Sequence, residues 1–168
     1  MRAQLRLELK NKEGETLEVR HAHNAVMRAG AQLIADLFAG KGTPITHVGV
    51  GTSDAPETDT YATETLSNEA LGDLGPLKGD TEVAIPPEAF MPPEVDEKNR
   101  VVRVRLRSTL PADAAVGTVR EAGLIAQGKE DTILYNRVTF SPITKGDDHE
   151  LTMFWEVSFP YGDLPWLM

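Results

Sequence analysis

The chain has 168 residues, and its 17 Lys and Arg residues against 26 Asp and Glu residues give a formal charge of −9. This length is typical of one domain and is sufficient to bury a core without disulfide or metal support. The sequence contains no cysteine, which excludes a disulfide scaffold, a thiolate zinc site and a cysteine nucleophile. The acidic balance argues against nucleic-acid binding, and no apolar run is long enough to cross a bilayer. Residues 1–6 lack the apolar core of a secretory signal, so we expect none.

The first predicted element is a β-hairpin. Leu5, Leu7 and Leu9 alternate with polar residues, which is the pattern of a strand with one buried face. A turn that contains a glycine follows over residues 11–15, and the alternation of apolar and polar residues resumes over residues 17–20.

One helix is predicted over residues 24–40. Asn24 stands where an N-cap residue is expected, and Gly40 stands where a glycine commonly ends a helix. The apolar residues recur at helical spacing and form a single stripe. The stripe comprises Val26, Gly30, Leu33, Ile34, Leu37 and Phe38. We expect this helix to cover one face of a sheet.

The middle of the chain has weaker patterns. A short strand interrupted by glycine is predicted over residues 45–50, and a polar, acidic loop is predicted over residues 52–60. An amphipathic stretch over residues 65–71 predicts one or two helical turns.

Residues 80–99 are rich in proline. The pairs Pro86-Pro87 and Pro92-Pro93 flank Phe90 and Met91. Because a central strand cannot contain such prolines, we predict an extended arm or an edge segment here.

The final third of the chain is predicted to be β-structure, with a loop over residues 141–149. Its strands are expected at residues 102–107, 118–126, 134–140 and 151–159. With the hairpin this gives about seven strands and one helix. The predicted fold class is therefore mainly β with one α-helix, an antiparallel β-sandwich with the helix packed on one face, in a single domain over residues 1–168.

Metal ligands are sparse. His21 and His23 would share one face of a strand, but a zinc site needs three or four ligands, and we favour histidines that simply end the strand. The acidic residues of the 52–60 loop and Asp147-Asp148 lack the spacing of an EF-hand. We favour solvated loops there and leave an incidental calcium site open.

Motifs of catalysis are not evident. The segment Gly49–Thr52 lacks the third glycine of a dinucleotide fingerprint and the Gly-Lys-Ser/Thr of a P-loop. The Gly-x-Ser-x-Gly elbow of serine hydrolases does not occur. We therefore predict that the chain is not an enzyme and uses no cofactor.

Three arginines, Arg103, Arg105 and Arg107, alternate along one predicted strand. At about 3.3 Å per residue they would form a basic ladder about 13 Å long. Two interpretations stay open: pairing with glutamates of a neighbouring strand, or docking on an acidic surface of a neighbouring subunit.

The tail over residues 160–168 is unusually apolar. Trp166 and Leu167 are expected to pack on the parent domain or on a partner, because exposed apolar clusters are a liability. The residues predicted to form intermolecular contacts are Arg103, Arg105, Arg107, Phe90, Met91, Trp166 and Leu167.

Several segments, taken in order, resemble small structural proteins of tailed bacteriophages and of phage-tail-like contractile injection systems. They are the helix over residues 24–40, the Val-Gly-x-Gly-Thr of Val48–Thr52, the Leu-x-x-Glu of Leu66–Glu69, Glu121–Ile125, residues 134–145 and the closing strand over residues 151–159.

The resemblance implies a non-enzymatic particle component of tail-fibre, baseplate, collar or cap type. Such a subunit would self-associate and dock on neighbouring tail, baseplate or cap proteins, with no nucleic-acid or membrane partner. It would be assembled in the bacterial host cytoplasm and reside in the virion or particle. The alternative is a receptor- or glycan-binding fibre domain or a capsid decoration protein, an analogy that rests on fold alone.

Overall fold

The computed structural model describes residues 2–23 and 25–163. Over these residues the chain forms an antiparallel β-sandwich of two sheets with one α-helix, as the sequence predicts. The elements are β1 (Arg2–Lys10), β2 (Thr16–His23), β3 (Ala25–Val26), α1 (Arg28–Phe38), β4 (His47–Gly51), β5 (Glu82–Ala84), a single 3-10 turn (Pro87–Ala89), β6 (Glu94–Asp96), β7 (Val101–Leu110), β8 (Gly117–Gln127), β9 (Thr132–Leu134), β10 (Asn136–Lys145) and β11 (Glu150–Pro160).

The strands divide into two sheets that enclose the core. The first sheet has the order β2-β1-β11-β7-β6, and the second has the order β3-β10-β8-β4-β5 with β9 also paired to β8. The inward residues of β11 show how the core is built: Leu151, Met153, Trp155 and Val157 are all buried, as the predicted apolar column requires. They alternate with outward residues, so the first sheet has one dry face and one face towards solvent.

The predicted hairpin is confirmed, although its second strand presents an unexpected face. Leu7 is buried and pairs with Arg20 of β2, so Arg20 and Ala22 share the inward side. Leu17 and Val19 consequently lie on the outward side, where they are 46% and 41% exposed. A register fixed by β1 thus turns the apolar residues of β2 to solvent, because successive side chains of a strand alternate between faces.

The helix begins later than predicted. Residues 25–26 form β3 and pair with β10, and Met27 occupies the N-cap position without a side-chain cap. The proposed N-cap Asn24 lies outside the described residues. At the other end the prediction is confirmed: Gly40 has a φ of +80° and follows the last turn. The Gly40 and Lys41 amides donate to the Leu37 and Asp36 carbonyls, which is a Schellman arrangement.

The helix packs closely against the segment between β9 and β10. Gly30 and Leu33 are its buried residues. A Cβ placed on Gly30 would lie 2.0 Å from the carbonyl oxygen of Tyr135, so only glycine lets the helix backbone approach this closely. Phe38 was expected in the apolar stripe but is 95% exposed, because it lies beyond the end of the packed surface.

The proline-rich residues connect the free edges of the two sheets. β5 pairs with β4 at the edge of the second sheet, and β6 pairs with β7 at the edge of the first. Between them, the Met91 amide donates to the Arg105 carbonyl and Phe90 bridges Leu106. Prolines are tolerated along this path because one side of each edge segment has no strand partner to satisfy.

Two local expectations are wrong. Residues 65–71 form no helix, and the Ser67 carbonyl accepts a hydrogen bond from the Thr52 amide. The predicted loop after residue 140 is largely strand, since β10 continues to Lys145. The ladder between β10 and β8 is interrupted between Thr139 and Ile143, and this irregularity accommodates Pro142 within the strand.

Candidate interaction surface

A buried ion-pair network joins two of the segments that carry the phage-protein resemblance. Arg137 of β10 is 5% exposed, and Glu121 of β8 is 1% exposed. The Arg137 Nε lies 2.9 Å from Glu121 Oε1, and Arg137 Nη1 lies 2.5 Å from Glu57 Oε2. The guanidinium also donates to the carbonyls of Ala55 and Ser53 at 2.8 and 3.3 Å. The charges of Arg137 and Glu121 are therefore paired and hydrogen-bonded, which a buried ion requires.

The network fastens the long segment between β4 and β5. Glu121 Oε2 accepts hydrogen bonds from the Ser53 and Ser67 amides at 2.8 and 3.2 Å. Thr52 Oγ1 donates to the Ser67 and Glu69 carbonyls. A Cβ on Gly51 would lie 2.5 Å from the Ser67 oxygen. The Val-Gly-x-Gly-Thr segment thus lets a loop backbone cross close to the strand.

A second contact of the same kind uses Asn136. Its Oδ1 accepts a hydrogen bond from the Leu124 amide at 2.8 Å. A Cβ on Gly123 would lie 2.5 Å from the Asn136 carbonyl oxygen. The polar residues of the resemblance segments are therefore used to pack strands and a loop together.

Lys145 at the end of β10 is also buried and satisfied internally. Its Nζ donates to the Ala112 carbonyl at 3.0 Å and approaches the Gly146 carbonyl at 3.5 Å. Desolvation lowers the pKa of this lysine, and the carboxylate of Asp113 counteracts part of that effect. The side chain ties the β7–β8 turn to the β10–β11 turn.

The three arginines among the predicted interface residues lie together on the outward face of the first sheet. Two adjoining grooves of about 470 and 450 Å³ lie there and share Gln4 and Glu156. Their linings together include five arginines and one glutamate. The arginines are Arg2, Arg6, Arg103, Arg105 and Arg107. Glu8, Glu94 and Asp96 lie beside three of these arginines, so this face carries only a small positive charge within a chain of charge −9. We call it the basic face.

Two rungs of the arginine ladder have cross-strand partners. Arg103 Nη2 lies 2.6 Å from Asp96 Oδ2, and Arg103 Nε lies 3.2 Å from Glu156 Oε1. Arg105 lies 2.9 Å from Glu94 and 2.9 Å from Glu156. Hydrogen bonds from Asn99, with a contribution from Arg103, lower the pKa of Asp96 to about 2. Hydrogen bonding to Glu156 raises the pKa of Arg105. Pairing within the sheet, one of the two interpretations left open, thus accounts for both arginines.

Arg107 has a different environment. It has no carboxylate partner among the ion pairs of residues 2–23 and 25–163. Its guanidinium lies 5.7 Å from the centre of the Phe154 ring, and the Arg6 guanidinium lies 4.3 Å from the same ring. Arg6 of β1 lies opposite Phe154 of β11, and Phe154 lies opposite Arg107 of β7, so the three residues are neighbours across the sheet. Two cations therefore flank one aromatic ring on a face that is open to solvent.

The remaining predicted interface residues separate. Phe90 is partly buried and packs on the core, where it anchors the arm. Met91 is 59% exposed and lines the larger groove. Trp166 and Leu167 lie outside the described residues. Sequence reasoning missed Arg6 and Phe154. Both stand on outward positions of alternating strands, so the alternation itself was the available signal.

Candidate metal ligands do not assemble within the described part of the chain. Over residues 2–23 and 25–163, no three His, Asp or Glu side chains are grouped closely enough to hold a metal ion. His149 Nδ1 instead accepts a hydrogen bond from the Gly146 amide within the β10–β11 turn. Over the same residues, no helix has the length and apolar character needed to span a membrane.

Comparison with known proteins gives no assignment. The chain matches no protein-family model, no curated protein and no solved structure.

Proposed function

We propose that this chain is a non-enzymatic structural subunit of a phage or phage-tail-like contractile injection particle. It assembles by self-association and by docking on neighbouring tail, baseplate or cap components. The observation that carries the docking part of this proposal is the basic face, with its grooves and its Arg6–Phe154–Arg107 row. The particle class is supported by the order of the resemblance segments.

The composition of the basic face suits protein recognition. Aromatic, methionine and arginine side chains are enriched in interfaces and in their energetic hot spots. Here Phe154 and Met91 supply apolar surface, and Arg107 supplies a cation that no carboxylate of the described residues neutralises. An acidic surface on a neighbouring subunit would complete this arrangement, and complementary charge would direct its docking.

The direct test uses particles purified from a strain whose copy of this gene is deleted. Added wild-type protein is expected to join the particles, as followed by co-sedimentation. Arg107→Glu should abolish this binding. Lys12→Glu is the matched control, since it makes the same change of charge in the exposed turn after β1 and should bind as wild type does. Wild-type protein that stays monomeric in light scattering and never sediments with particles would contradict the proposal.

A second candidate is the receptor- or glycan-binding fibre domain or capsid decoration protein. The observation in its favour is the exposure of two aromatic rings, Phe38 at 95% and Tyr61 at 44%, because aromatic faces stack well against apolar ligand surfaces. A glycan array that shows selective binding, lost in Phe38→Ser, would favour this function over a purely structural one.

A further inference from the structure

Strand β2 is an unpaired edge of the first sheet. Over the described residues its only strand partner is β1, so the backbone groups on its other side have no ladder. β2 is eight residues long and contains no proline. Its residues Leu17 and Val19 are among the exposed large apolar side chains. Natural proteins usually protect such an edge with prolines, charges or a covering segment, because it is a template for another strand.

The residues at this edge are complementary to themselves. Glu18 and Arg20 stand on either side of Val19 on the inward side of the strand, and their charges lie 3.5 Å apart. We propose that two copies of the chain pair β2 with β2, antiparallel, about a twofold axis through Val19. Glu18 of each copy then lies opposite Arg20 of the other.

The registers nearest to this one are disfavoured. An axis through Glu18 would place Glu18 opposite its own copy, and an axis through Arg20 would do the same with arginine. Like charges directly opposite each other destabilise a strand pair. An axis between two residues would bring inward positions opposite outward ones, which disrupts a sheet with one buried face. Among these registers, only the axis through Val19 pairs opposite charges.

The position of the Arg20 side chain agrees with the proposed pairing. Its guanidinium donates to the Val19 carbonyl at 3.0 Å and to the Ser141 and Pro142 carbonyls at 3.2 and 3.0 Å. Its charge is therefore fixed on the inward side of β2, which is the side on which Glu18 of the second copy would lie. On the outward side, Leu17 would lie opposite His21 of the second copy, and the two Val19 side chains would meet at the axis.

This inference rests on the proposed function, because it gives the self-association of the subunit a defined surface. The dimer would join two five-stranded sheets into one continuous sheet. An interface of this kind is isologous and closed, since each copy contributes the same strand. One strand pair buries less surface than the 1,200–2,000 Å², roughly, of a stable complex, so we expect a dimer whose population depends on concentration.

Cysteine cross-linking tests the register directly. The sequence contains no cysteine, so Val19→Cys introduces a single thiol at the proposed axis. Residues directly opposite in an antiparallel pair have Cβ atoms about 4.5–5.5 Å apart, close to the range a disulfide spans. Mild oxidation of Val19→Cys is expected to give a covalent dimer.

Two exposed positions on the same strand provide matched controls. In the proposed register Leu17 lies about 13 Å along the strand from Leu17 of the second copy, at about 3.3 Å per residue. Leu17→Cys and His21→Cys should therefore not cross-link efficiently when each is alone. An equal mixture of the two should cross-link, since the residues lie opposite each other. Equal yields from all single variants would overturn the register.

Charge exchange tests the pairing in the reduced protein. Glu18→Lys and Arg20→Glu each place like charges opposite each other and should weaken self-association by at least about tenfold. A mixture of the two restores opposite charges and should form a heterodimer in light scattering. Circular dichroism shows whether each variant is folded, and the Val19→Cys result does not depend on either of them.

The outcomes separate this inference from the proposed function. Wild-type protein that assembles, but whose Val19→Cys variant gives no covalent dimer, overturns β2 pairing and leaves self-association through another surface. Wild-type protein that is monomeric up to millimolar concentration overturns both. Charge variants that keep the wild-type mass also contradict the pairing.

Discussion

Glu121 and Arg137 are both buried, and each depends on the other to hold a charge away from water. Removing one partner of such a pair leaves an uncompensated buried charge, which costs about 3–5 kcal/mol. We expect Arg137→Met to lower the free energy of unfolding by about this amount, as measured by urea denaturation. The substitution should also loosen the segment that contains Glu57, since Arg137 binds the carboxylates of both Glu57 and Glu121.

Arg103→Met is the matched control for that substitution. Arg103 also contacts two carboxylates, Asp96 and Glu156, but its side chain is 23% exposed. Solvent screening limits partly exposed pairs of this kind to about 1 kcal/mol or less. If Arg137→Met and Arg103→Met lowered the free energy of unfolding equally, burial would not make the Arg137–Glu121 pair more important for stability than the partly exposed pairs of Arg103.

Tyr135 is 2% exposed, and desolvation raises the pKa of its phenol to about 12 from an ordinary 10.0. The folded chain therefore keeps this proton in a range where the unfolded chain loses it. The free energy of unfolding should fall as the pH rises between these two values. In an ultraviolet absorbance titration, Tyr135→Phe should remove a phenol ionisation near pH 12. A wild-type titration without such a late phase would contradict the burial of Tyr135.

At the scale of elements, the attachment of the helix depends on the absence of a side chain at Gly30. An added Cβ would lie 2.0 Å from the Tyr135 carbonyl oxygen, which is backbone and cannot move aside cheaply. We expect Gly30→Ala to lower the free energy of unfolding by about 1–3 kcal/mol, although alanine is the better helix former. Thermal unfolding measures this loss.

Gly75→Ala provides the comparison for Gly30→Ala. No heavy atom lies within 4 Å of a Cβ built on Gly75, and its φ is not in the left-handed region. Alanine should leave stability unchanged there or raise it slightly, because it restricts the unfolded chain. If Gly30→Ala proved as stable as Gly75→Ala, the close approach of α1 to Tyr135 would be refuted.

Sequence patterns predicted best the elements in which apolar residues alternate with polar ones because one face is buried. The hairpin and the strands of the final third alternate because one face of each is dry, so their existence could be read locally. The start of the helix could not, because residues 25–26 pair with β10 and that partner is far along the chain. The strand character of Lys145 depended in the same way on its neighbour β8.

The candidate surface was only partly predictable for a related reason. Alternation placed Arg103, Arg105 and Arg107 on one face, and this is their arrangement. Alternation alone does not say which strands are neighbours, and the order β1-β11-β7 is what brings Arg6 and Phe154 beside Arg107. Likewise, the polar residues Glu57, Glu121 and Arg137 gave no local sign that they meet.

At the scale of the whole molecule, charge is distributed unevenly. The grooves of the basic face are lined by five arginines and one glutamate, and Glu8, Glu94 and Asp96 lie beside three of these arginines, while the chain as a whole carries −9. The acidic surplus of the chain therefore lies outside this face. Two copies that approach through β2 repel each other over long distances, whereas a copy that presents its basic face to an acidic surface is attracted.

These two modes of association should respond to salt in opposite ways. The Debye length shortens from about 30 Å at 0.01 M to about 8 Å at 0.15 M ionic strength. Screening removes the repulsion between copies of charge −9, so pairing through β2 should strengthen, as sedimentation of the wild type over a salt series would show. Docking of the basic face should weaken, and Arg107→Glu should lose only this salt-weakened component. A different result would be self-association that weakens with salt in the wild type and disappears in Arg107→Glu. That result would mean that the basic face of one copy docks on an acidic surface of another copy and that β2 stays unpaired.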